Sequence, residues 1–152
     1  MIQVKIQGLD KVMKGFERSP EYTVNELGKA VGKSLVITHR EALAQAPVNK
    51  AGGGGNLRQL IKQVRTNKLR GLISSKAKYS EYVHEGTAPH IIRVRSKKVL
   101  ANRRRGKIFG KIVRHPGTRP NPFMERALKK SESRINGYFR IAINNVIRMI
   151  TR

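Results

Sequence analysis

The chain predicts an α+β domain in which two long helices pack a small antiparallel sheet and a basic β-hairpin projects from it. Three observations predict it. Apolar residues step by three and four along two long segments, 20–46 and 122–149, as they do on helices with one packed face. Short runs rich in β-branched residues lie between those segments. Two stretches rich in glycine, proline and aromatic residues, 79–90 and 115–128, bracket a strongly basic segment, and turn chemistry beside apolar anchors marks corners of a fold.

At the N-terminus Ile2, Val4 and Ile6 alternate with Gln3, Lys5 and Gln7, the period-two pattern of a strand with one buried face, and Gly8 ends it. Leu9, Val12, Met13 and Phe16 are spaced for a short helix. Ser19, Pro20 and Glu21 then supply a cap, a first-turn proline and a first-turn acid for a helix over 20–46. Its apolar stripe is Val24, Leu27, Val31, Leu35, Thr38 and Ala42, widened by Ile37 and Leu43, and Pro47 stops it. The four glycines at 52–55 have a high ordering cost and no side chain to offset it, so a flexible loop is expected there. The Gly-Lys-Ser/Thr that would make it a phosphate-binding loop does not follow.

Leu57, Leu60, Ile61 and Val64 lie on one side of a short helix expected over 56–64, and 69–75 reads as a strand. Within the basic segment, 91–95 and 107–113 read as two strands joined by a loop around 102–106. Asn121 is read as the cap and Pro122 as the first residue of the last helix, which extends to Met149. Met124, Leu128, Ser131, Ile135, Tyr138, Ala142, Val146 and Met149 form its stripe, with Phe139, Ile141, Ile147 and Ile150 beside them. Packing on the sheet and on the first long helix is expected in preference to a coiled-coil seam.

At 152 residues the chain is expected to form one domain, 1–152, with a core of ordinary size. It carries 33 Lys and Arg against 9 Asp and Glu, a formal charge of +24, and self-repulsion on that scale calls for an anionic partner. The charge is unevenly placed, because residues 42–80 and 86–124 contain no acid. The absence of cysteine excludes disulfides, thiolate zinc sites and cysteine nucleophiles. No apolar run approaches the roughly 18 residues of a membrane span. The N-terminus alternates where a signal peptide is continuously apolar, so a soluble protein made in the cytoplasm, with no membrane partner, is expected.

The four histidines are His39, His84, His90 and His115. His84, Glu85 and His90 do not have the spacing of a His-Glu-x-x-His helix, and Gly86 and Pro89 prevent the turn that would bring such ligands together, so structural roles are expected. No nucleophile elbow surrounds Ser74, Ser75 or Ser80, and no carboxylates are paired at a fixed spacing. The chain is therefore read as not an enzyme, with no cofactor and no metal. Tyr79, Tyr82 and Val83 are expected to anchor their segment in the core while Glu85, Gly86 and Thr87 make the turn. Gly86, Pro89, Pro116, Gly117, Pro120 and Pro122, with Tyr79, Tyr82 and Phe123, are the structural corners that join hairpin to core. The hairpin carries Arg93, Arg95, Lys97, Lys98, Arg103, Arg104, Arg105, Lys107, Lys111 and Arg114, a footprint for phosphates or for an acidic protein face. It has only Phe109 for base stacking, and no DNA-reading helix motif is present, so sequence-specific readout is not expected.

The wording YVHEGTxPH at 82–90, then the basic hairpin, then HPGTxPxPFxxxAL at 115–128 opening the last helix, resembles the neck and tail-completion proteins of long-tailed bacteriophages, the gene-product-ten-like family of lambdoid phages. The resemblance covers most of the chain in order, from the N-terminal strand through the long helix and the glycine-rich break before Asn56, Leu57 and Arg58 to the final helix. It implies a virion structural protein at the head-tail junction or tail end, with no catalytic residues to carry over. It also implies a homo-oligomeric ring, six subunits by the symmetry of such tails, that joins head or connector to tail. Partners would be other neck, connector and tail-tube proteins, with nonspecific contact to packaged DNA. The competing reading is a nucleic-acid-binding protein without base readout, which explains the charge but leaves the two corner motifs unaccounted for.

Overall fold

A computed structural model describes residues 17, 20–48, 56–95, 99–102 and 106–151 of the chain. The strand expected over 2–6, the helix over 9–16, the Ser19 cap and the glycines at 52–55 lie outside the described residues, as do Lys97, Lys98, Arg103, Arg104 and Arg105.

The fold is α+β. Helix α1 (Pro20–Gln45) is followed by α2 (Asn56–Leu60), the strands β1 (Ile61–Asn67) and β2 (Arg70–Ser75), and the short α3 (Ser80–His84). Then come β3 (His90–Arg93), β4 (Leu100–Asn102), β5 (Lys107–Gly110), β6 (Ile112–His115) and the long α4 (Phe123–Ile150). The strands form three antiparallel pairs, β1 with β2, β3 with β6 and β4 with β5. Among the described residues no helix is long and apolar enough to cross a membrane.

Both long helices start and stop within a residue or two of where the sequence places them, and their packed faces follow the expected stripes in part: Ile37, Ala42, Ser131, Ala142 and Val146 are stripe positions that are buried, whereas Ala30 and Ala127 are buried outside the stripes. They run antiparallel: Glu26 meets Asn145 at one end, and Ala42 and Ala127 share the core at the other. Most of the buried positions are small, Ala30 and Ala42 on α1 and Ala127, Ser131 and Ala142 on α4, with Ile37 and Val146 beside them. Small residues at a helix contact set a short interaxial distance, so the bulky apolar side chains flank the seam instead of filling it. Val24, Leu27, Val31, Leu35 and Thr38 are accordingly only half-buried, and Leu128, Ile141, Ile147 and Met149 are exposed. The hydroxyl of buried Ser131 donates to the Ala127 carbonyl at 2.8 Å and so brings no unsatisfied group into the seam.

The main core gathers around the junction of α1, α2, β1 and α4. Ala42 and Ala46 at the end of α1 pack with Leu57, Ile61, Ala77, Phe123 and Ala127, and Leu43, Leu60, Ile73, Val83 and Met124 close around them. The helix expected over 56–64 ends at Leu60, because Ile61 to Asn67 pairs with Arg70 to Ser75 across a turn at 68–69. Ile61, Val64 and Thr66 are β-branched, and the cross-strand ladder available to them outweighs their helical spacing. The hairpin is tied to α1 by side chains. Arg65 donates through Nη2 to the carbonyls of Gly28 and Lys68, both at 2.6 Å, and His39 donates through Nε2 to the Ile61 carbonyl at 3.1 Å.

Glu26 is 6 % exposed and accepts from Asn145 Nδ2 at 2.8 Å and from Lys29 Nζ at 2.5 Å. The Asn145 amide first, and Lys29 next, hold its carboxyl below the usual carboxylate range against the opposing effect of burial. The folded-state pKa lies below the unfolded one, so this link stabilises the fold at neutral pH and is lost as pH falls through the carboxylate range. Asn145→Ala is expected to cost about 1–3 kcal/mol at neutral pH. In urea melts at neutral pH and in acid below the carboxylate range, the gap between variant and parent should narrow in acid; a gap independent of pH would show that the carboxylate is not involved.

Candidate functional site

The two glycine-proline segments, separated in sequence by the basic stretch, come together as one clasp. Thr87 and Thr118 form an isolated bridge in which each amide donates to the other's carbonyl at 3.0 Å, and their hydroxyls lie 3.1 Å apart. On one side of that bridge the Asn121 amide donates to the His84 carbonyl at 2.9 Å. On the other, His90 stands opposite His115 at the start of the β3–β6 ladder, with ring centroids 4.9 Å apart and stacked. His115 Nδ1 accepts from the Gly117 amide at 3.1 Å, and His90 Nδ1 donates to the Ala88 carbonyl at 2.9 Å.

Gly86 and Gly117 have φ of 76° and 83°, the left-handed region expected of these corners. Each also faces the backbone of the other segment. A Cβ on Gly86 would lie 2.5 Å from the Thr118 carbonyl oxygen and 2.8 Å from Pro120 N. A Cβ on Gly117 would overlap the Thr87 carbonyl oxygen and lie 3.0 Å from the carbonyl carbon of Ala88. The geometry therefore requires glycine twice over, by conformation and by contact. Pro89, Pro116 and Pro120 are exposed on the rim of the clasp, and Pro122 is half-buried at the start of α4.

Two expected anchors are displaced. Tyr79 and Tyr82 are 45 % and 61 % exposed and do not enter the core. The five-residue α3 turns Val83 toward the core and His84 toward Phe123, and Tyr82 and the preceding Tyr79 stay exposed outside them. His84 takes the anchoring role, its ring edge-on to buried Phe123 at a centroid distance of 5.5 Å and its Nδ1 2.6 Å from Glu85 Oε1. Asn121 does not cap α4 with its side chain, because Pro122 occupies the cap position and the Asn121 amide oxygen accepts from Arg126 instead. The pairing of Thr87 with Thr118 lies outside the sequence expectations, although the repeated Gly-Thr of 86–87 and 117–118 is the signal that carries it.

Beyond the clasp the basic segment is an arm in two stages, not one hairpin of two long strands. The inner stage is β3 with β6 and the outer is β4 with β5, with a break at Gly110 and Lys111 where the Val94 amide donates to the Lys111 carbonyl at 3.1 Å. Arg93, Arg95, Lys107, Lys111 and Arg114 are all exposed on it. Among the described residues the ion pairs are Lys29 with Glu26 and His84 with Glu85, so none of these five cations has a carboxylate within ion-pair distance. They are free to meet an external anion.

On the body, an open groove of about 450 Å³ runs between α1, β2 and α4, lined by apolar side chains that include Leu35, Leu72, Met124, Leu128 and Phe139. The histidines lie apart from it, and among the described residues no three His, Asp or Glu side chains gather as a metal-binding group. No protein-family model, curated protein or solved structure matches this chain.

Proposed function

We propose that this chain is a non-enzymatic structural protein of a tailed-phage virion, a neck or tail-completion subunit that assembles as a ring, six-membered by tail symmetry, at the head-tail junction or tail end. The observation that carries the reading is the clasp: a backbone bridge between Thr87 and Thr118, each preceded by a left-handed glycine, joins the body to an arm whose described cations have no carboxylate partner. A rigid mount for an extended basic arm suits a subunit that must meet a neighbouring component in one orientation. The sequence order of the two motifs supports the family assignment, and the charge supports the need for a partner. Copies each bearing +24 repel one another, so the ring forms against opposite-sign neighbours, in screening salt or on a polyanion, and the purified chain stays monomeric at low salt.

The second reading, nonspecific binding to nucleic acid, is favoured by the exposed arginines alone and leaves the clasp without a purpose. Disruption of the gene in a phage that carries it separates the two. Filled heads and separate tails are the expected products, with antibody label on normal particles confined to the neck or tail end. Intact virions assembling without the protein would overturn the proposal.

A further inference from the structure

The inner stage of the arm has two chemically different faces. In the β3–β6 register Ile91 stands opposite Arg114 and Arg93 opposite Ile112, and directly opposed residues of an antiparallel pair project to the same side. One face therefore carries two isoleucines on one diagonal and two arginines on the other, with direct neighbours about 5 Å apart and diagonal ones about 7–8 Å apart. All four are exposed, Ile91 and Ile112 each to 55 %. The opposite face carries the stacked His90 and His115 with Ile92 and the half-buried Val113. Farther out, Ile108 and Phe109 are also exposed, at 74 % and 50 %, beside Lys107 and Lys111.

A face made only to neutralise phosphates has no use for isoleucine, since each exposed aliphatic side chain adds apolar surface in water and contributes nothing to a phosphate contact. A protein surface uses both kinds of residue. Arginine pairs a carboxylate through two parallel hydrogen bonds, and aliphatic contacts around that pair exclude water from it. We infer that the Ile91–Arg93–Ile112–Arg114 face docks an acidic protein surface in which aliphatic side chains are interleaved with carboxylates. This rests on the assembly reading for its setting and deepens it by naming the chemistry of the neighbour. The groove of a second copy is not that surface, because its lining includes Arg70 and no acid.

The test is fluorescence anisotropy with the purified full chain and three probes: a labelled Glu-Ser-Leu-Ser repeat peptide, a Glu-Ser-Ser-Ser peptide of equal charge, and a short DNA duplex. The leucine peptide is expected to bind about tenfold tighter than its control, the effect of covering one or two aliphatic side chains. The double variant Ile91→Ser, Ile112→Ser should abolish that preference while leaving the melting temperature, the control-peptide affinity and the DNA affinity unchanged. Arg93→Gln with Arg114→Gln should weaken both peptides together. Equal affinity for the two peptides, no peptide binding, or a loss of DNA binding in the isoleucine variant to match the loss of peptide binding would overturn the inference. The particle experiment can fail while this one succeeds, and the reverse, so the two claims are judged separately.

Discussion

Valine in place of Gly117 is expected to destabilise the fold by about 3 kcal/mol, roughly 10 °C in melting temperature for a chain of this size. Two costs combine. A β-branched residue is strained at the φ of 83°, and its Cβ would overlap the Thr87 carbonyl that accepts the Thr118 amide, so the bridge must open. Gly86→Val acts on the same bridge from the other side, through the Thr118 carbonyl and Pro120. The double variant should therefore cost less than the two single losses added, because both break one contact set. Gly106→Val is the control: its φ is 62° but a Cβ there meets nothing within 4 Å, so it carries the conformational cost alone. Thermal melts that rank Gly117→Val no worse than Gly106→Val would show that the clasp does not hold the arm.

Phe123→Ala should cost about 4 kcal/mol, near the upper end for a single core truncation. Phe123 is 1 % exposed and serves two structures at once, the main core and the edge-on contact that seats His84. Leu128→Ala, five residues farther along the same helix, should cost less than about 1 kcal/mol because that side chain is 57 % exposed. Denaturant midpoints of the two variants compare directly. Similar losses would mean that α4 is rotated about its axis and that its bulky stripe, not the Phe123, Ala127 and Ser131 side, faces the core.

The extents of the two long helices were legible because they are local matters. Pro20 with Glu21 starts α1, Pro47 follows its end, and Pro122 precedes α4, each through its own backbone and its nearest neighbours. The left-handed corners at Gly86 and Gly117 were legible for the same reason: the glycines stand among prolines and turn residues that leave few alternatives. The α+β class follows from those elements, and so does the basic arm between the two motifs.

Which residues of each packed stripe reach the seam was decided only by tertiary structure. Periodicity placed Ala42, Ser131 and Ala142 on the packed stripes, but the α1–α4 seam also took Ala30 and Ala127, whose small size matters only when a second helix lies against them, and left bulky stripe members such as Leu35 and Leu128 half-buried or exposed. The same holds for 61–64, where helical spacing yielded to a ladder whose partner strand lies beyond the next turn. Tyr82 was the expected anchor, yet it is exposed, and His84 two residues on packs edge-on to Phe123 in its place. The clasp itself joins residues 87 and 118 across the whole basic arm. Neither Gly-Thr pair has a partner in its own neighbourhood, so only closure of the chain supplies the opposing backbone that makes both glycines necessary.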